Sequence, residues 1–100
     1  MEERKDVIMK LALYFDVEPT LISTTILEYD SGLKVYKFSR KRKEVEARWC
    51  YWCYLNSTGM SPWYISQREG FNHKTIYHAL ENVDIVLNEE IKGIIYGTDI

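Results

Sequence analysis

Two helices separated by a glycine-containing turn are the strongest structural signal in this sequence, and they constrain the fold more than any other stretch. Ser61-Pro62 is a typical helix start, because serine caps free backbone N–H groups and proline is tolerated at the first helical position. Gly70 predicts that this helix ends after about eight residues. Asn72 is a candidate N-cap for a second helix, which we expect over about residues 73–87.

A short helix, a three-residue turn with glycine and a longer helix form the helix-turn-helix arrangement. In DNA-binding proteins of this kind the second helix lies in the major groove, while the first crosses the backbone. The inward stripe of the second helix is predicted to be Ile76, Leu80, Val83 and Leu87. An ordinary angled pair of helices in an all-α domain has the same spacing, and this alternative stays open at this point.

The first turn of the second helix offers hydrogen-bond donors on its outward face. With the apolar stripe inward, the exposed residues are His73, Lys74 and Tyr77, and Thr75 lies near the edge. Lys74 could donate to guanine O6 and N7, Thr75 could contact a thymine methyl or a phosphate, and His73 could donate to a base or a phosphate. Each could equally be a solvated polar residue. For His78 the neighbouring apolar residues favour a partly buried histidine over a DNA contact.

The net charge of −2 argues at first sight against a nucleic-acid partner, but the charge is segregated along the chain. Residues 34–48 carry seven basic and two acidic side chains, a charge of +5, whereas residues 1–30 and 81–100 each carry −4. The candidate phosphate contacts are Arg40, Lys41, Arg42, Lys43 and Arg48. All of them except Arg42 are expected to project outward or toward one edge of the helix. A solvated helix start or a site for an acidic protein is the alternative.

Residues 24–38 predict an inserted β-hairpin. Residues 24–29 and 33–38 are rich in β-branched and aromatic side chains, which are typical of strands. Asp30-Ser31-Gly32 separates them as a three-residue turn with glycine last, where a positive φ is wanted. Because an isolated hairpin is marginally stable, we expect it to lie against the helices. Its edge could join a protein partner or a second copy in a homodimer.

Further helices are predicted on both sides of this insertion. An amphipathic helix is expected over about residues 3–16, followed by a short helix that opens at Pro19. Ser39 is a candidate N-cap for a helix over about residues 40–56. The buried face of that helix is predicted to be Val45, Trp49, Trp52 and Cys53. The chain length of 100 residues fits one domain, so the prediction is a single all-α domain with an inserted hairpin.

The glycine turn and the second helix carry a recognisable string. Gly70-Phe-Asn-His73-Lys-Thr75-Ile-Tyr-His78-Ala79 resembles the signature Gly-Arg-Asp-His-Thr-Thr-Val-x-His-Ala of the DNA-binding domain of the bacterial replication initiator DnaA. Residues 39–48 resemble that family's basic loop and following helix, and residues 61–65 resemble its Ser-Leu-x-x-Ile segment. Residues 7–22 resemble the segment before the basic loop. The resemblance therefore covers most of the chain and leaves residues 24–38 as an insertion.

The resemblance implies a Trp-repressor-like helix-turn-helix fold that binds double-stranded DNA, in replication or transcription control of a bacterium, phage or mobile element. Residues 73–87 would lie in the major groove, and the basic segment, defined as residues 40–48, would contact phosphates or the minor groove. It implies a major-groove role for His73. The full set of implied DNA contacts is Arg40, Lys41, Arg42, Lys43, Arg48, Ser61, Asn72, His73, Lys74, Thr75 and Tyr77.

The chain departs from that signature at positions that read bases. Phe71-Asn72 replaces Arg-Asp, and Lys74 replaces the first threonine. Aspartate accepts from cytosine whereas asparagine prefers adenine, so the target sequence is expected to differ from that of the family.

Other chemistries are less favoured. Cys50 and Cys53 form a C-x-x-C motif, but it falls inside a predicted helix, and its spacing to His73 and His78 does not match a zinc finger. The sequence contains neither a phosphate-binding glycine loop nor a nucleophile elbow, so we expect no enzyme activity, no cofactor and no metal. Two cysteines, no export signal and no membrane-length apolar run predict a cytoplasmic protein and no membrane partner.

A second class of function also fits the sequence. The inserted hairpin and the aromatic side chains of Trp63, Tyr64 and Phe71 could make the chain a protein-interaction or dimerisation module. An exposed, contiguous aromatic patch would favour this function over DNA binding.

Overall fold

In a computed structural model that describes residues 2–34 and 40–97, the chain is helical, and neither range contains a strand. The α-helices are α1 (Glu2–Phe15), α2 (Arg42–Ser57), α3 (Pro62–Glu69), α4 (His73–Asn82) and α5 (Glu89–Tyr96). Short 3-10 turns occupy Pro19–Leu21, Thr24–Glu28 and Val83–Ile85. The predicted all-α class is therefore confirmed for the described residues, whereas the predicted hairpin is not.

The amphipathic pattern of α1 places its apolar stripe in the core. Ile8 and Leu11 are fully buried, and Val7 and Ala12 are nearly so. The helix ends at Asp16, whose φ of 57° lies in the left-handed region. This conformation lets the Val17 backbone N–H donate to the Ala12 carbonyl at 3.0 Å, which satisfies one of the carbonyls left free at the helix end.

Helix α2 is the centre of the fold, because it contacts α1, α3, α4 and α5. With neighbours on most of its circumference, the helix is buried on more than the single face that its sequence suggests. Of the predicted buried face only Trp52 is fully buried, whereas Val45, Trp49 and Cys53 are half-buried. The residues that fill the core are instead Ala47, Cys50, Tyr51, Trp52, Tyr54 and Leu55.

The prediction of a strand at residues 24–29 is wrong. Thr24–Glu28 forms a 3-10 helix because the Ser23 hydroxyl caps it, accepting from the Thr25 backbone N–H at 3.2 Å. Ile26 is then fully buried, so the hydrophobic gain of the segment comes from helix packing rather than from strand pairing. Tertiary burial therefore overrides the β-propensity of the threonines and isoleucine.

The turn after this segment forms, but not in the predicted way. The Asp30 carboxylate accepts from the Gly32 N–H at 3.0 Å, an Asx-turn, and Gly32 does not adopt a positive φ. The second predicted strand falls largely on residues 35–38, which lie outside the described residues. The predicted cap Ser39 lies outside them too, and within the described chain α2 begins after Lys41.

The C-terminal helices follow their sequence signals with shifted bounds. The α-helical part of α4 ends at Asn82, and Val83–Ile85 continues as a 3-10 turn instead of extending the helix to residue 87. Asn88 caps α5, accepting from the Ile91 N–H, and its amide donates to the Tyr14 hydroxyl of α1 at 2.8 Å. Over residues 2–34 and 40–97, no helix combines the length and the hydropathy that crossing a membrane requires.

Candidate nucleic-acid interface

Both ends of α3 are fixed by local hydrogen bonds. The Ser61 hydroxyl accepts from the Tyr64 backbone N–H at 3.1 Å, and Pro62 occupies the first turn. Gly70 ends the helix with a φ of 78°, which glycine adopts without steric cost. The predictions for Ser61-Pro62 and Gly70 are confirmed, and the turn that begins at Gly70 leads into α4.

Helix α4 presents a polar first turn over an apolar base. The Asn72 side-chain oxygen accepts from the Lys74 N–H at 2.8 Å, as predicted for an N-cap. His73, Lys74 and Thr75 are exposed, whereas Ile76 beneath them is fully buried. The prediction that His73 and Lys74 lie on the outward face of the helix is therefore confirmed, and Thr75, predicted near its edge, is exposed as well.

The capping role of Asn72 limits what its side chain can read. A bidentate contact to adenine needs both the amide oxygen and the amide nitrogen. Because the oxygen already accepts from the Lys74 N–H, a bidentate contact would have to use its second lone pair or break the cap. Tyr77, one turn further on, is half exposed, and its ring lies edge-on to His73 with 6.3 Å between centroids.

The exposed part of the basic segment lies at the start of α2. Arg40, Lys41, Arg42 and Lys43 are all exposed. Arg42 donates to Glu46 at 2.9 Å, a hydrogen bond that raises the pKa of the arginine, and the Lys43 amine lies 3.9 Å from Asp16. Because these ion pairs are exposed, they contribute little to stability and can be exchanged for a phosphate at low cost.

One cleft brings the basic segment and the first turn of α4 together. It has a volume of about 450 Å³ and lies between α2 and α4. Its lining includes Arg40 from the basic segment, Thr75 from α4, and the aromatic residues Trp49, Trp52 and Phe71. Two groups of predicted DNA contacts that are 35 positions apart in sequence are thus neighbours in the fold.

Arg48 does not project outward, and that prediction is wrong. Only 5% of the residue is exposed, and its guanidinium donates to the Leu21 carbonyl at 2.9 Å. The guanidinium carbon also lies 5.6 Å from the centre of the Phe71 ring. Burial lowers the pKa of Arg48, because desolvation disfavours the cation, and nearby Glu44 opposes that shift.

The aromatic lining of the cleft was not assigned to a site by sequence reasoning. The sequence places Trp49 and Trp52 on a core face and Phe71 on an interaction surface, whereas the structure sets all three around one space. The Phe71 ring packs edge-on against Trp52 with 4.9 Å between centroids, and Trp49 packs against His78 at 5.7 Å. The available signal was a pair of tryptophans three positions apart, directly after a basic run.

A buried polar cluster lies beneath the turn, at the end of α3. The Glu69 side chain is 1% exposed, and its carboxylate accepts from the Ser23 hydroxyl at 2.6 Å. Its second oxygen has no hydrogen-bond partner among the described residues, and the Arg68 Nε is 3.7 Å away. Burial raises the pKa of Glu69, with the Ser23 hydrogen bond and Arg68 opposing the shift. This cluster ties α3 to the segment before α2.

The two cysteines lie on α2 and do not form a disulfide. Burial, with a smaller contribution from Cys53, raises the pKa of the Cys50 thiol to about 12, so the thiolate needed for redox or metal chemistry is disfavoured. The Cys53 sulfur lies 3.4 Å from the Tyr96 hydroxyl of α5. Within residues 2–34 and 40–97, no three histidine, cysteine or acidic residues are grouped so that they could hold a metal ion.

Neither a protein-family model nor a curated protein nor a solved structure matches this chain. The resemblance to the DNA-binding domain of DnaA therefore stays a sequence-based hypothesis, and the function has to be proposed from the geometry of the chain itself.

Proposed function

We propose that this protein binds double-stranded DNA through α3 and α4. In this proposal the first turn of α4 enters the major groove, and the exposed basic residues before and at the start of α2 contact phosphates or the minor groove. The class of protein is a sequence-reading DNA-binding protein of replication or transcription control, as the resemblance to the DnaA domain implies.

The observation that carries the proposal is the cleft shared by Arg40 and Thr75. A helix that reads base edges needs cations beside it, because phosphate contacts set the register in which side chains meet the bases. The shared cleft puts the basic segment beside the first turn of α4, which is the arrangement that such docking needs. Exposed His73 and Lys74 supply donors at the tip of the helix.

The acidic ends of the sequence support selective rather than non-specific DNA binding. Residues 1–30 and 81–100 each carry a charge of −4, so DNA is repelled from surfaces that present them. Attraction is then confined to the basic face, which orients the protein on the duplex. We expect low non-specific affinity and a strong dependence of binding on salt.

The proposal is tested by selection of binding sites from a random duplex library, followed by fluorescence titration of the enriched duplex. The expected result is a defined consensus sequence and an affinity that falls steeply between about 50 and 200 mM salt. Absence of any enriched sequence, together with no duplex binding at low salt, would sink the proposal.

Two lysine variants separate base reading from phosphate contact. Lys74→Ala is expected to relax specificity at one base position, at a cost of about 1–3 kcal/mol on the selected site. Lys41→Ala is expected to weaken binding to all duplexes and to reduce the salt slope by about one. Lys10→Ala is the matched control. It removes the same charge from α1, on the surface beside α5, which is not part of the proposed interface. Equal effects of all three changes would contradict the assigned roles.

A protein-interaction function is the second candidate, and it is favoured by the aromatic side chains at the start of α3. Trp63 is 60% exposed and Tyr64 is 49% exposed, which is unusual for large aromatic residues. Sizing chromatography of the chain and of the Trp63→Ser, Tyr64→Ser double variant tests self-association. A dimer that dissociates in the variant, without any duplex binding by the parent chain, would favour this function.

A further inference from the structure

The cleft between α2 and α4 has an aromatic lining, which docking on a duplex does not require. Its volume of about 450 Å³ falls within the ~300–1,000 Å³ range of small-ligand sites. Phosphate contacts on the outside of a duplex use cations and hydroxyls and need no ring faces. Trp49 and Phe71, beside the buried Trp52, therefore point to a ligand that has a flat aromatic group of its own.

Trp49 is the ring best placed to meet such a ligand. It is half-buried, whereas Trp52 is 1% exposed and Phe71 is already packed against Trp52. Trp49 also lines a second cleft of about 330 Å³ together with Ile85 and Val86, so the residue borders both clefts. Its edge contact with His78 holds the ring in place from α4.

Arg40 supplies the charge that accompanies the rings. The residue is exposed and lines both clefts beside Trp49. Arg48, in contrast, is buried and bonded to the Leu21 carbonyl, so it forms a fixed wall of the cleft. A flat aromatic group next to an anion is the combination that a cleft of aromatic rings with one exposed guanidinium recognises.

We propose that this cleft, here called the stacking cleft, takes one unpaired DNA base, with the base against Trp49 and an adjoining phosphate on Arg40. This inference rests on the proposed function, because Thr75 places the cleft at the edge of the helix that would enter the major groove. Inside a duplex, neighbouring bases cover each ring face, so stacking on Trp49 selects a base that is unpaired. The preferred substrate is then a duplex next to a single-stranded or melted segment.

The test compares three probes built on one selected duplex: the blunt duplex, the duplex with a three-thymine overhang, and the duplex with an abasic overhang of equal length. The protein carries Trp63→Phe, which removes the most exposed indole, so that fluorescence reports on Trp49 and Trp52. The thymine overhang, placed at either strand end, is expected to quench the emission. It should also raise affinity about tenfold, which corresponds to ~1.4 kcal/mol from stacking of one base. The abasic overhang should do neither.

Trp49→Leu is the variant that isolates the cleft, because leucine keeps apolar volume but has no ring to stack on. The variant is expected to lose the tenfold gain, measured by fluorescence anisotropy of labelled DNA because Trp49 is itself a reporter of the quenching. It should bind the blunt duplex as before, and thermal unfolding checks that it is folded. Trp63→Phe alone, tested with the same probes by fluorescence anisotropy of labelled DNA, is the matched control for loss of an exposed tryptophan.

The outcomes separate this inference from the proposed function. Equal affinity for the thymine and abasic overhangs, with normal binding to the blunt duplex, overturns the stacking cleft and leaves duplex binding intact. Failure to bind the blunt duplex at low salt overturns the proposed function instead. Quenching by free thymidine 5′-monophosphate at the same concentration as the overhang duplex would show a free-nucleotide site and also overturn the inference.

Discussion

The first turn of α4 and the last turn of α3 are separated by three residues, yet their polar side chains have opposite environments. His73, Lys74 and Thr75 face solvent, whereas the Glu69 side chain is 1% exposed and hydrogen-bonded to Ser23. Water satisfies the first group, so a ligand can replace that water at little cost. Removing a partner from Glu69 would leave a buried charge alone, which is costly.

The basic segment repeats this contrast within one stretch. Arg40 is exposed beside the stacking cleft, while Arg48, eight positions later, is bonded to the Leu21 carbonyl. One arginine of the basic segment is therefore available to a ligand, whereas the other stabilises the fold. A run of charges that continues into a helix therefore includes residues with structural roles once the helix crosses the core.

The largest effect is expected for the buried arginine. Arg48→Ala removes the donor to Leu21 and the packing over Phe71, and it leaves a cavity and an unsatisfied carbonyl. We expect a loss of about 3 kcal/mol in the free energy of unfolding, measured by urea denaturation. Arg40→Ala is the matched control, with an expected change within about 0.5 kcal/mol. If the two variants lose similar stability, the contrast between the two arginines is incorrect.

The turn that joins the two regions comes next. Gly70→Ala forces a side chain into a φ of 78° and should cost about 1–2 kcal/mol by thermal or urea unfolding. An added Cβ would meet no atom within 4 Å, so the cost is in the backbone and not in packing. Gly70→Asn should recover part of the loss, because asparagine tolerates the left-handed region. An asparagine variant as unstable as the alanine variant would point to a steric cause instead.

The buried carboxyl predicts a dependence of stability on pH. Burial raises the pKa of Glu69 above its ordinary value of 4.5, so the folded state binds the proton more tightly than the unfolded state does. The contribution of Glu69 to the free energy of unfolding should therefore be most favourable below about pH 4.5. It should fall as the pH rises through the pKa of the folded state.

Glu69→Gln tests this dependence. The variant should lose that fall and be more stable than the parent at pH 8, measured by urea unfolding at a series of pH values. Glu81→Gln, an exposed carboxyl on α4, is the control and should leave the pH profile of the parent. A parent profile that the Glu69 substitution does not change would show that the carboxyl is not buried as a charge.

The smallest effect is expected at the exposed cap. Asn72→Ala removes the acceptor of the Lys74 N–H and should cost about 1 kcal/mol or less, because solvent can replace the lost bond. Asn72→Asp keeps an acceptor and favours the positive helix end, so it should be as stable as the parent or more so. Thermal unfolding of both variants is the measurement. An aspartate variant as unstable as the alanine variant would show that the side chain does not act as a helix cap.

The parts of the fold that the sequence predicts are those determined by contacts a few residues apart. Ser61 and Asn72 are caps, and Gly70 ends α3, as their residue types indicate. Each of these features needs only backbone groups within the next three or four positions, so no knowledge of the tertiary structure is required. The exposure of His73 and Lys74 follows from the inward stripe of the same helix.

The parts that could not be predicted depend on distant partners. Arg48 is buried because of a carbonyl 27 positions earlier, and Glu69 because of a hydroxyl 46 positions earlier. The 3-10 helix at Thr24–Glu28 likewise follows from the burial of Ile26 against the other helices, which β-propensity does not describe. The cleft itself needs α2 and α4 side by side, so its aromatic lining has no signature in either helix alone.

The central position of α2 has a consequence for how the molecule opens. Helices α1, α3, α4 and α5 all contact α2, so α2 cannot separate from any of them without exposing core surface. Local openings that free a peripheral helix leave α2 held by the other three. The backbone amides around Cys50 and Leu55 should accordingly exchange with solvent deuterium only when the whole chain unfolds, whereas those of α5 exchange through smaller openings.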